Sequence, residues 1–375
     1  MSFSNSLNEK RPTGDSPILF EKFPALEKHI PWIKLADLPT PVRKLDNLGR
    51  TIGYNNIWIK RDDESSDIYG GNKVRKLEFV LPDAIKKKRS TILTYGGIGT
   101  NHGLATTIHG RRLELKTILI MIDQPLDGHV QENLLLNRHF GAELCYAGGR
   151  MGALLNTCRY YLSRQRLYLL PPGGSSVLGS LGYVNAAFEL KKQVDAGEMP
   201  NPKYIFVTVG SKGTMAGLLL GARLSGLDTT VIGVRVSTQV RAAEINTAKL
   251  ANKMSKLMRK YDSSIPVTVF RPEDIHIIHD FYGGEYGRAT PEGKDARDLF
   301  WKTEKMTLEL TYTGKTVAAM LHYIKKHPEL NNDPTLYWHT YNGVDLSKII
   351  IEDHDYTRLP HPFHRFFETN LISYI

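Results

Sequence analysis

Short apolar runs alternate with helical patterns along most of this chain. "TILTYGG" (Thr91 to Gly97) reads as a strand and is followed at once by the helical pattern "NHGLATTIHGRRL". "KTILIMID" (Lys116 to Asp123) is a second strand, "VQENLLLNRHFG" a helix ending at Gly141, and "AELCYA" a third strand. A second series starts near "RLYLLPPGGSS". It runs through the helix "LGYVNAAFELKKQV", the strand "KYIFVTV" and the helix "GTMAGLLLGARLSG" to the strand "TTVIGVRV". Strands separated by helices pair in parallel, because a parallel neighbour needs a long crossover. The 375 residues are too many for one compact core. The expectation is an α/β protein of two open, twisted, mainly parallel-sheet domains. Residues 1–75 with 182–375 would form the large domain and residues 76–181 the small one, with the ligand in the cleft between them.

Composition narrows the function classes. The net charge is +10, a balance that nucleic-acid binders share. Yet the basic residues lie on polar helix faces: "KLANKMSKLMRK" sets Leu250, Met254, Leu257 and Met258 on one face and its lysines on the other. They are not interleaved with aromatics. A basic nucleic-acid-binding protein is the alternative from a different class, and no nucleic-acid partner is expected. The longest apolar run, Ile118 to Ile122, is far short of a membrane span. The two cysteines, Cys145 and Cys158, form no CxxC and no disulfide framework. With a polar leader, "MSFSNSLNEKRPTGDSP", and no metal-spaced histidine pair, a cytoplasmic protein without a metal is expected.

Three loops and one lysine carry the chemistry. In "VTVGSKGTMAGL" an apolar strand runs into Gly210-Ser211-Lys212-Gly213-Thr214 and a helix begins at once. Free backbone N–H groups there would cradle a phosphate, although a tight strand-to-helix turn reads the same way. In "YGGIGTNHG" the glycines allow close backbone approach, and Thr100, Asn101 and His102 stand at a helix start. That start is either an ordinary cap or a site for a carboxylate or ring oxygen. "LTYTGKTVAAM" contains GKT but carries Glu309 where a P-loop needs glycine, so Tyr312 is its candidate acid or base. Finally, "YGGNKVRKLEF" predicts a helix capped by Asn72 with Lys73 at its first position, and Pro82 interrupting or restarting it. A cation at a helix start is disfavoured by about 0.3–1 kcal/mol. That suits a nucleophilic amine, though most lysines are simply solvated.

Together these segments resemble pyridoxal-phosphate enzymes of fold type II, specifically the 1-aminocyclopropane-1-carboxylate (ACC) deaminase and D-cysteine desulfhydrase family. The matching stretches are "LPTPVRKLDNL", "IWIKRDD", "GGNKVRKLEF", "GGIGTNHG", "PPGGSSVLGSLGYVNAAFEL", "VGSKGTMAGL", "EYGRATPEG" and "YTGKTVAAM", in order from about residue 35 to 343. The resemblance implies pyridoxal 5'-phosphate as cofactor, held covalently by Lys73. Asn101 would bond the ring oxygen, Ser211, Lys212, Gly213 and Thr214 would hold the phosphate, and Thr340 would approach the ring nitrogen. Tyr286 and Tyr312 would face a small amino-acid substrate, with Thr100, Asn101 and His102 beside it. Thr100, Tyr312 or Lys73 itself would move the proton at Cα. A homodimer is expected by the same resemblance.

Family members that open the ACC ring carry Glu and Leu where this chain has Thr313 and Thr340, so the pattern is similar to the desulfhydrase side. α,β-Elimination to a 2-oxo acid, ammonia and a leaving group such as sulfide is the expected reaction. β-Replacement and ACC-type ring opening are the near alternatives. Two departures stand out: Gly99-Thr100-Asn101 replaces a Gln-Ser-Asn common among relatives, and Tyr341-Asn342-Gly343 replaces the second half of "HTGG". The tail "EDHDYTRLPHPFHRFFE" has no counterpart in that pattern.

Overall fold

A computed structural model describes residues 16–238, 242–330 and 333–368. In chain order the elements begin α1 (Ile18–Lys22), β1 (Val42–Lys44), α2 (Asp46–Ile52), β2 (Ile57–Arg61), α3 (Asn72–Lys86), β3 (Thr91–Gly97) and α4 (Asn101–Arg112). Then follow β4 (Lys116–Ile122), α5 (Gly128–His139), β5 (Glu143–Gly148), α6 (Arg150–Ser163), β6 (Leu167–Leu169), α7 (Val177–Asp195), β7 (Tyr204–Val209), α8 (Gly213–Ser225) and β8 (Thr230–Arg235). The series closes with α9 (Ala243–Tyr261), β9 (His276–Ile278), α10 (Pro291–Glu304), α11 (Thr313–Lys326), β10 (Thr335–His339), α12 (Ser347–Glu352) and α13 (Arg365–Glu368).

Two sheets result, as the alternation predicts. The larger has the order β1-β2-β10-β7-β8-β9 and the smaller β5-β4-β3-β6. Among the described residues only β1 runs antiparallel, against β2. The central strands β4 and β7 are covered on both faces, so they read as apolar runs rather than alternating with polar residues. In β7 Ile205, Val207 and Val209 join the core under α7, α8 and α9, while Phe206 points the other way, to α10 and α11. β4 divides likewise, Ile118 and Ile120 to one face and Leu119 and Met121 to the other. The chain beyond Gly343 crosses the small sheet's helical layer, where Leu359 and Phe363 are buried beside Val130, Leu134 and Leu144.

Helix α3 departs from expectation at two points. Asn72 is not its cap. Gly71 takes that position, at φ +89°, a left-handed angle that favours glycine. A Cβ at Gly71 would also meet the Thr340 carbonyl at 2.9 Å. Lys73 is therefore the second helical residue. Nor does Pro82 break the helix, which runs on to Lys86. Proline removes the N–H that would bond the Glu78 carbonyl one turn back. Here the Ile33 N–H bonds that carbonyl instead, at 3.0 Å, so the bond is replaced from outside the helix.

Candidate active site

A cavity of about 1030 Å³ opens between the two sheets and takes its walls from both. Lys73, Thr100, Asn101, His102, Ser211, Lys212, Thr214, Tyr286, Tyr312 and Thr340 all line it. Gly213 packs just behind, where a Cβ would lie 2.4 Å from Ser175 Oγ.

Lys73 enters from the first turn of α3. Its Nζ donates to Asn72 Oδ1 at 2.6 Å, and Asn72 Nδ2 donates to Thr214 Oγ1 at 3.0 Å. The residue read as a cap thus ties the lysine to the start of α8. Enclosure by protein pushes the Lys73 ammonium down to about 8, against the pull of the Glu309 carboxylate. Glu309 is buried in the cleft wall, and its oxygens accept from the backbone N–H of Thr311, Tyr312 and Thr313.

The pH profile of cofactor uptake follows from this. Only the neutral amine attacks an aldehyde, so the rate at which cofactor-free protein takes up pyridoxal phosphate should rise with pH and level off above about 8. In Glu309→Gln the anion that favours the ammonium is gone and the midpoint should fall. Stopped-flow absorbance across pH measures both. An unchanged or higher midpoint in the variant contradicts the electrostatic role of Glu309.

On the wall formed by the large sheet, the turn from β7 passes through Lys212 at φ +70° into α8. The first N–H groups of α8 lack acceptors within the helix. Ser175 Oγ accepts from Gly213 N at 3.2 Å and lies 2.7 Å from Ser211 Oγ. Lys76 Nζ donates to Ser175 Oγ at 3.1 Å and to the Gly173 carbonyl at 3.2 Å. Hydroxyls, backbone N–H groups and a buried amine converge where glycine keeps the wall thin: a Cβ at Gly173 would sit 2.1 Å from Ser211 Oγ. Such a donor set fits a phosphate dianion. With Lys73 on the same cavity, the site fits pyridoxal phosphate.

Tyr286 and Tyr312 bring their hydroxyls into direct hydrogen-bond contact, with ring centroids 6.1 Å apart. Burial raises both above the ordinary phenol value, so both stay protonated at neutral pH and act as donors or acids. Thr100 caps α4, its Oγ1 accepting from Gly103 N at 3.1 Å. His102 places Nε2 2.9 Å from Thr94 Oγ1, and burial holds its ring neutral. Asn101 Oδ1 lies 2.9 Å from both His129 Nε2 and Asn133 Nδ2. Thr340 reaches the cavity from the end of β10 while its carbonyl accepts from Asn72 N at 3.1 Å.

Several residues here escaped the sequence reading: Lys76, Ser175, Glu309, Gln124, His129 and Asn133. "PPGGSS" held the signal for Ser175. Gln124, two residues past the end of β4, fills the space that Gly97 and Gly99 leave open. A Cβ at Gly97 would meet its Oε1 at 1.9 Å, and that oxygen accepts from Gly99 N at 3.2 Å. A side-chain amide therefore stands beside Gly99.

The chain matches the family model described as "Pyridoxal-phosphate dependent enzyme" over residues 33–340. It is 33% identical to the D-cysteine desulfhydrase of Salmonella paratyphi B over 320 residues, covering 83% of this chain and 93% of that one. The enzyme of the same name from Salmonella newport matches equally. Among solved structures, an ACC deaminase homologue superposes with a TM-score of 0.72 at 28% identity, over 87% of this chain and 95% of that one. Threonine deaminase isoform 2 from Solanum lycopersicum, at 16% identity and TM-score 0.59 over 91% of this chain and 94% of that one, shares the fold. The chain belongs to the pyridoxal-phosphate dependent enzymes, in the fold type II family that groups ACC deaminases with D-cysteine desulfhydrases.

Proposed function

We propose that this enzyme eliminates a β leaving group from a small α-amino acid, most like D-cysteine desulfhydrase. With cysteine and one water, the products are sulfide, ammonia and a 2-oxo acid. One observation carries the choice within the family. At Thr313 and Thr340 the cleft wall carries hydroxyl side chains, and the nearby Glu309 carboxylate is turned onto the backbone of α11. The bound cofactor supplies the electron sink for the substrate's Cα. Thr340 would approach the ring nitrogen with a hydroxyl rather than a carboxylate, a neutral partner suited to quick loss of a β group.

The chain's own groups supply the remaining steps. Lys73, its amine shifted toward the neutral form, takes the Cα proton. The paired phenols of Tyr286 and Tyr312 deliver a proton to the departing group. Thr100, whose hydroxyl lies on the cavity wall beside Gly96 and Gly97, holds the substrate carboxylate. We place the protein in the cytoplasm as a homodimer. The resemblance supports this, and Met151, Leu155 and Leu162 on α6 are exposed apolar side chains that a second copy would cover. No helix among the described residues is long and apolar enough to cross a membrane.

Loaded protein given D-cysteine should release sulfide and 2-oxo acid in equal amounts. Sulfide-free turnover of ACC would favour ring opening, and a new thioether formed with an added thiol would favour replacement. Sedimentation at half the expected dimer mass would contradict the dimer.

A further inference from the structure

One backbone carbonyl fixes how Asn101 faces the cleft. The Gly99 carbonyl can only accept, and it lies 2.9 Å from Asn133 Nδ2, so that end of the Asn133 amide is its NH2 group. The same nitrogen is 2.9 Å from the Asn101 side chain. Two NH2 groups there would repel, so Asn101 turns its oxygen inward and its NH2 outward. His129 Nε2 is also 2.9 Å from that oxygen. An amide oxygen has no proton to give, so Nε2 carries the ring hydrogen. It and Asn133 Nδ2, 3.1 Å apart, are two donors on one acceptor.

In a neutral imidazole the other nitrogen, Nδ1, then accepts, and the Tyr341 hydroxyl 3.4 Å away is placed to donate to it. Burial favours the neutral ring, against the pull of Asp127. Tyr341 follows β10 directly after Thr340, and its ring meets His129 edge-on at 5.8 Å. The neighbouring Asn342 Oδ1 accepts from Gly70 N at 2.7 Å, which ties this loop to the one that leads into α3 and Lys73.

We infer that His129 and Tyr341 are positioning residues: they lock the Asn101 amide so that its NH2 donates into the cleft, toward the ring oxygen of the cofactor. This rests on the reading that Asn101 touches the cofactor. It gives a reason for a tyrosine where relatives carry glycine, since Tyr341 sets the hydrogen on His129.

The test uses protein loaded with pyridoxal phosphate and reads the cofactor dissociation constant and the visible absorption maximum. Asn101→Ala and His129→Leu should each weaken binding about fivefold, the loss of one hydrogen bond, and shift the band. The double variant should be no weaker than Asn101→Ala alone, because His129 acts through Asn101. His129→Gln, whose amide N–H reaches the same oxygen, should restore the band. The inference is overturned if His129→Leu leaves both readings unchanged while Asn101→Ala moves them, or if the two effects add. If Asn101→Ala itself moves neither, the reading beneath the inference fails first and the inference falls with it. Should His129→Leu not fold, Tyr341→Phe decides: a shifted band supports the relay, and a band identical to that of the unaltered protein refutes it.

Discussion

Lys73→Ala should lower turnover about a thousandfold or more, because in the proposed mechanism one side chain supplies both the covalent hold on the cofactor and a proton-carrying amine. The loss should fall on the chemical step. The cradle built by Ser175, Ser211, Gly213 and Lys76 is intact in the variant, so it should still take up pyridoxal phosphate, more weakly and without the band of the lysine-bound form. Turnover on D-cysteine and dialysis against the cofactor check the two halves. Full activity in the variant would remove Lys73 from the mechanism.

The second large effect lies beneath the site. Arg75, two residues after Lys73, is fully buried and bonds Asp62 at 2.7 Å and Glu189 at 2.8 Å. Lys60 pairs with Glu189 at 2.6 Å, and Trp338 Nε1 donates to Asp62 at 2.7 Å. This neutral cluster of two cations and two anions pins α3 to β2, α7 and β10. Arg75→Met leaves two buried carboxylates short of a partner and should cost about 3–5 kcal/mol of stability, read as a lower denaturant midpoint.

The cluster also sets an acid limit. Burial alone would raise Glu189, but Arg75 and Lys60 hold it at about 2, below its ordinary 4.5. A depressed carboxylate contributes stability that is present above 4.5 and is lost as pH falls toward 2. That part of the acid sensitivity should shrink in Arg75→Met. An unchanged midpoint at neutral pH would show that the cluster contributes nothing net.

Local pattern revealed most of the strands and helices, because covered parallel strands read as apolar runs and their helices as amphipathic ones. That Lys73, the turn at Gly210 to Thr214 and the loop at Thr100 and Asn101 meet at one cleft is legible in the sequence because each is a short segment at a helix start in an α/β chain. What stayed hidden depends on distant partners. Asn72 looked like a cap because its neighbours favour one, yet Gly71 takes the position to let the Thr340 backbone pass close by. Pro82 looked like a break because Ile33, whose N–H replaces the lost bond, lies 49 residues earlier. Arg75 and Lys76 have no partner close by in the sequence that would mark them as buried. Their partners come from residues 62, 189, 173 and 175, and no spacing along the chain announces them. Glu309 registered only as the residue that spoiled a P-loop, though it is the anion that tunes Lys73.

The most direct test of the account is borohydride reduction of the protein loaded with pyridoxal phosphate, followed by mass spectrometry of its peptides. The account predicts a yellow protein whose visible band disappears on reduction, with the pyridoxyl mass on the peptide containing Lys73 and absent from that peptide in Lys73→Ala. A label found instead on Lys76, Lys212 or Lys315, or a protein that stays colourless with the cofactor added, would contradict it.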